Sequence, residues 1–279
     1  MSSVLENALW SAAFAGVVAT GVTVAIERFG GRIGGLLGTL PTTIVPASIG
    51  IWAQTEGPQA FQAAMDATPA GMLVDALFLW AWRALPPRLP EMRLGWMLTF
   101  MTVLTLGLWL LIAWPTVLLG DGFAEGETLP FGLVSMALLV GVGIAGTLTS
   151  TPTPRGGNRV SKVTLVLRGL FAATAIGAAV WIADIAGPVA AGVASVFPAI
   201  FFTSMASLWL AQGHTVPAGA VGPMMLGSSS VGAYALYAHF LFPTLGPAMG
   251  AIVAWVAAVV STTVPAWWWL EVRARRAAA

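Results

Sequence analysis

The chain contains no cysteine, a single lysine and two histidines, and it carries 12 basic and 11 acidic residues among 279. Without cysteine there are no disulfides, no iron–sulfur clusters and no thiol catalysis. The single lysine, Lys162, falls in a loop, which excludes a retinal-type Schiff base in mid-membrane. His214 and His239 are predicted near opposite faces and cannot jointly hold zinc or haem. There is no Walker A or HExxH motif, and no interfacial cluster of carboxylates and histidines of the kind a lipid-processing enzyme would show. No cofactor, no metal and no enzymatic activity are therefore expected. A net charge of +1 gives no basis for nucleic-acid binding.

What the chain has instead is apolar surface. Charged residues make up 8% of it, against about 25% in globular domains. Apolar residues make up 58%, with a mean hydropathy of +0.87. At about 20 residues per crossing, this length allows about nine or ten spans. Nine apolar runs are legible, at about Val4–Ile26, Ile33–Ala53, Pro69–Leu85, Leu94–Leu119, Leu129–Leu148, Val163–Ala183, Val189–Ala211, Pro217–Leu241 and Leu245–Leu270. None shows the period-2 alternation of a barrel strand. A segment in lipid must satisfy its own backbone, so each is expected to be a helix. The fold class read from this pattern is an all-α integral membrane protein, with membrane lipid as its constant partner.

Charge tests the count. With nine spans, all twelve basic residues gather on one face: Arg28 and Arg32, Arg83, Arg88 and Arg93, Arg155, Arg159, Lys162 and Arg168, then Arg273, Arg275 and Arg276. Glu56, Asp66, Asp121, Glu125, Glu127 and Asp184 fall on the other. The positive-inside rule makes the basic face cytoplasmic, with the amino terminus outside and the carboxyl terminus inside. The first residues lack a basic region and a cleavage site, so the first span is expected to be retained. Eleven arginines to one lysine, with abundant Ala and Gly, suggest a GC-rich bacterial genome and hence the plasma (inner) membrane. Most tryptophans read as interfacial anchors, including Trp52, Trp82, Trp114 and Trp209, since an indole is an apolar ring with one donor. Trp109 falls near mid-membrane.

A shift that carries Glu27 onto Asp184 aligns 27–86 with 184–243 without a gap, matching Gly30 with Gly187, Gly35 with Gly192, Pro41 with Pro198, Trp52 with Trp209 and Pro86 with Pro243. Five spans separate equivalent elements, and an odd number inverts the copy. The expected plan is a 4+1+4 inverted-topology repeat: 1–128 as the first four helices, 129–162 as a linking helix and cytoplasmic loop, and 163–279 as the second, inverted four. Such repeats give transporters two nearly equivalent packings, one open to each side.

The second and seventh spans are expected to be broken by proline. Pro41, Thr42, Thr43, Pro46 and Ser48 lie near the midplane of one half, and Pro198, Thr203 and Ser204 near that of the other. A proline removes a donor and frees a carbonyl, which lipid tolerates only against protein or a wet cavity. These residues, with Ser229 of the Gly227–Gly232 serine run, are candidates to bind substrate. The alternative is kinked helices whose hydroxyls bond back to their own turns. Asp75, about two turns inside the third span, is the candidate for ion coupling; a carboxyl that opens to water at the outer end is the competing reading. Glu27 and Asp184 close equivalent helices and are candidate gates. The function expected is alternating-access transport, coupled to an ion, of a small or partly apolar substrate that is not strongly anionic, since no basic residue falls at the midplane. A non-transporting scaffold or assembly factor, a channel and a lipid translocase are the alternatives, and a homo-oligomer is compatible with all of them.

Overall fold

The computed structural model describes residues 40–90, 92–123, 127–149, 162–212 and 215–278, together with several helical positions between 6 and 17. Among the described residues every regular element is helical and there is no strand. In chain order these are α1 (Ile44–Gln54), α2 (Pro58–Ala84), a 3₁₀ turn (Pro86–Arg88), α3 (Leu94–Asp121), α4 (Leu129–Leu148), α5 (Lys162–Ile185), α6 (Pro188–Ala194), α7 (Ala199–Gln212), α8 (Thr215–Gly227), α9 (Ser229–Ala258), a π-helical turn (Val259–Thr263) and α10 (Val264–Ala278).

Four stretches are long and apolar enough to cross a membrane: Leu94–Asp121, Leu129–Leu148, Pro188–Ala206 and Ala218–Arg276. The outward faces of α3, α4 and α9 present Val103, Leu110, Leu111, Leu133, Val134, Ile252 and Val256. An apolar surface this continuous is unsuited to water, and it marks a membrane protein. Trp96, Trp114, Trp181 and Trp268 are exposed on it, as anchors would be.

The centre of the molecule is α2. It packs against α1, α3, α4, α6, α8 and α9, and Phe61, Met65, Met72, Phe78, Leu79 and Trp82 are buried along its length. This helix starts at Pro58 rather than near Pro69, so Gln62 and Asp66 lie within it instead of in a loop. Small residues set the spacing around it. A Cβ on Gly132 of α4 would lie 2.7 Å from the Asp66 carbonyl oxygen, and one on Gly192 of α6 would overlap the carbonyl of Ala64. Glycine at such crossings lets backbones meet.

Three helices that start at the same end follow a Gly-Pro pair: Gly57-Pro58, Gly187-Pro188 and Gly246-Pro247. The glycines have φ of 93°, 84° and 74° with extended ψ, a region open essentially to glycine alone. The proline after each has its fixed φ and missing donor in the first helical turn, where neither costs anything. At Gly246 this turn divides α9, and Gly250 then packs back against Leu241.

The two ends of the molecule differ in charge. At one, Arg83 donates from Nη1 to the Gly146 carbonyl (2.8 Å) and from Nη2 to Thr149 Oγ1 (3.0 Å). Trp269 Nε1 donates to Thr147 Oγ1 there (3.2 Å). A cation on the last carbonyls of a helix satisfies them and complements its dipole. At the other end lie Glu56, Asp66, Asp121 and Glu127.

Candidate functional site

One expected break is present, between α6 and α7; the residues just before 40 lie outside the described ones, so of the other only the turn ahead of α1 is described. Residues 40–43 form a turn ahead of α1, and residues 195–198 separate α6 from α7. Pro41 and Pro198 are buried within them. Pro46 lies in the first turn of α1, where its missing N–H was never needed, so it makes no second break. The same shift that aligned the sequence carries α1 onto α7 within two residues at either end, and carries the start of α2 at Pro58 onto the start of α8 at Thr215.

The α6–α7 break sits at the middle of α2. A Cβ on Gly71 would lie 2.5 Å from Val196 Cγ2, so backbone and break touch. The next residue, Phe197, packs edge-on against Trp109 of α3 (5.2 Å). Trp109 in turn donates its indole N–H to Asp75 Oδ1 (2.7 Å). Asp75 is one turn beyond Gly71 and 1% exposed. It is sealed inside the helix packing and does not open to water. Break, indole and carboxyl thus form one contiguous unit. The turn ahead of α1 is tied elsewhere: Ser48, one turn into α1 and fully buried, shares a hydrogen bond with Tyr234 Oη of α9 (2.7 Å) and donates to the Val45 carbonyl (2.9 Å). Both α1 and α7 pack on α5.

The remaining hydroxyls bond locally. Thr42 Oγ1 donates to the Leu40 carbonyl (3.4 Å), Thr203 to Ala199 (2.9 Å), Ser204 to Ile200 (2.7 Å) and Ser229 to Leu226 (2.7 Å). Thr43 precedes α1 without a side-chain cap bond. Such back-bonding bends helices, and at Ser228–Ser229 it accompanies the junction of α8 with α9. Glu27 lies outside the described residues. Asp184 lies in the last turn of α5, its side chain outside them as well.

Two tryptophans read as anchors are core residues. Trp209 and Trp82 are 2% and 1% exposed and meet edge-on at 5.3 Å, with Phe202 and Phe78 beside Trp82. Trp52 is half-buried against Phe61 (4.9 Å) and Phe242 (5.8 Å). Three helices packed on one another bury these rings more completely than an interface would.

One cluster was not anticipated. Asp66 of α2, fully buried, accepts from Thr128 Oγ1 at the head of α4 (2.6 Å, to Oδ2), and its Oδ1 lies 2.8 Å from His239 Nδ1 of α9. Gln62 donates to the His239 carbonyl (3.2 Å). The signal for it was the Gly57-Pro58 helix start, which brings Asp66 inside the span. Comparison with known protein families, characterised proteins and solved structures finds no match to this chain.

Proposed function

We propose that this chain is an ion-coupled transporter of a small or partly apolar substrate, working by alternating access on a nine-helix inverted repeat in a bacterial inner membrane, with its amino terminus outside and carboxyl terminus inside. The observation that carries the reading is the break at 195–198, the turn at 40–43 and the direction taken by the helix after each. Trp52 and Trp209 are equivalent under the shift, yet Trp52 packs at Phe61 and Trp209 at Trp82 of the same helix. Those positions are about 30 Å apart at 1.5 Å per residue, the thickness of a hydrocarbon core. Equivalent segments running to opposite ends of one central helix are what an inverted repeat requires.

The joints supply the mechanism. The α6–α7 break divides a span into two short rods that can pivot about mid-height, where lipid-free backbone is tolerated, and the turn ahead of α1 is assigned the same role. α1 carries Ser48 against Tyr234, and the α6–α7 break carries Phe197 against Trp109 and so against Asp75. A change of charge on Asp75 alters the hydrogen bond from Trp109, and the ring in contact with the break feels it. Substrate enters between the rods, near Thr42, Thr43, Thr203 and Ser204, and the coupling ion acts at Asp75. The gathering of the described arginines at one end, where Glu271 pairs with Arg275, supports the orientation.

The absence of cysteine makes the test direct. Thr42→Cys and Thr203→Cys, each introduced alone, should react with a membrane-impermeant maleimide applied from either side of oriented vesicles. A scaffold would leave both thiols protected from both sides, and that result would end the transport reading.

A further inference from the structure

We propose that Asp66 and His239 form a proton-binding site distinct from Asp75, and that the ion coupled to transport is a proton. The second half of this statement rests on the transport reading; the first does not. Asp66 and Asp75 are nine residues apart on α2, which at 100° per residue places them on opposite faces and about 13 Å apart along the axis. Asp75 faces α3 through Trp109, and Asp66 faces α9 and the head of α4.

The chemistry of the pair is specific. Both oxygens of the Asp66 carboxylate are occupied, Oδ2 by the Thr128 hydroxyl at 2.6 Å and Oδ1 by the His239 ring at 2.8 Å. With Nδ1–H directed at the carboxylate, Nε2 is left to accept a proton. Burial decides the route. Asp66 has no exposed surface, whereas the His239 side chain is 12% exposed, so a proton reaches the pair through the imidazole. The proton binds at Nε2, the ring becomes an imidazolium, and the Nδ1–H bond to Asp66 becomes an ion pair. Among the described residues, the other ionisable groups at this end include Glu56 ahead of α2, Asp121 closing α3, Glu127 beside Thr128 and Tyr237 on α9; Glu125 and the side chain of Asp184 lie outside them. The three carboxylates whose side chains are described, Glu56, Asp121 and Glu127, are exposed. Gln62 holds the carbonyl of His239 from α2. Among the described residues, no lysine or arginine bonds to the pair.

A sodium ion would need several oxygens converging on one point. Here Asp66 already spends its oxygens on donors, and Asp75 receives an indole N–H in an apolar setting. A proton needs only one basic nitrogen, and His239 Nε2 supplies it.

Two measurements on the full chain separate the claims. The variant H214Q leaves His239 as the sole histidine, so ¹⁵N-histidine NMR of the purified protein reads its protonation and tautomer alone. The expected result is proton uptake at Nε2 by an imidazole that starts as the Nδ1–H tautomer. Asp66→Asn should change the proton affinity about tenfold or more, the usual effect of an adjacent carboxylate. Thr128→Val, which spares the ion pair, is the second variant if Asp66→Asn folds poorly; it should shift the curve less while keeping the tautomer. An imidazole that stays neutral throughout, or a curve indifferent to both substitutions, overturns the site. The second measurement is the Thr203→Cys labelling above. The side of labelling should depend on pH and not on Na⁺, and His239→Gln should weaken the pH effect while leaving the part carried by Asp75. Dependence on Na⁺ overturns the proton as coupling ion. Labelling from neither side defeats the transport reading, while the NMR curve still decides the site.

Discussion

Trp109→Phe isolates the link between the buried carboxyl and the helix break. The substitution keeps an aromatic ring against Phe197 but deletes the N–H that reaches Asp75 Oδ1 at 2.7 Å. Asp75 is 1% exposed, so water does not replace the lost donor. A hydrogen bond contributes about 0.5–1.5 kcal/mol, and an unsatisfied buried group costs about 1–3 kcal/mol. The smaller ring also loses packing, which would confuse a single-variant measurement. A double-mutant cycle with Asp75→Leu, which has no acceptor for the indole N–H, removes that term. The predicted coupling between the two positions is about 1–3 kcal/mol. At roughly 2–4 °C per kcal/mol for a chain of this order, the two single variants together should overestimate the melting shift of the double variant by about 2–12 °C in detergent. Additivity within about 0.5 kcal/mol would show that indole and carboxyl are neighbours without being partners, and the unit joining Asp75 to the break would not exist.

The packing makes further predictions. Trp209→Ala should cost about 3–5 kcal/mol, the usual range for a large buried aromatic, whereas Trp114→Ala, at a position 69% exposed, should stay within about 0.5 kcal/mol; equal losses in a detergent melt would return Trp209 to an interfacial role. Gly132→Val places carbon against the Asp66 backbone and should destabilise by about 1–3 kcal/mol. Gly107→Ala, where nothing lies within 4 Å of the new Cβ, should stabilise α3 by up to about 1 kcal/mol, and thermal melts compare the two directly. Arg155→Cys should label only from the cytoplasm and Glu125→Cys only from outside; both labelling from one side would refute the orientation.

The sequence was most informative wherever a backbone role has a residue type of its own. Pro198 announced the break between α6 and α7, Pro41 falls in the turn ahead of α1, and the long apolar runs announced α3, α4 and the 218–276 stretch. Polar residues inside a buried helix misled it. Gln59, Gln62 and Asp66 look like a loop in a hydropathy reading, yet they belong to α2, whose polar side chains find partners in α4 and α9. Tryptophan was ambiguous for the same reason: an indole suits an interface or a core, and only tertiary packing separates Trp114 from Trp209. Trp82 shows the cost of the core choice, its Nε1 buried without a partner among the described residues. The pairs that matter, Ser48 with Tyr234 and Asp66 with His239, join residues far apart in the chain. No local spacing encodes such contacts.

The central claim is that the two ends open alternately, and a lock tests it most directly. Phe61 and Phe242 stack at 4.7 Å, joining α2 to α9 at the carboxylate end. Cysteines at both positions, bridged by dibromobimane, should hold that end shut. Thr203→Cys in the bridged protein is then predicted to react from the arginine-rich side alone, and to regain reaction from both sides when the two cysteines are present but unbridged. Undiminished labelling from the carboxylate side of the bridged protein would contradict alternating access.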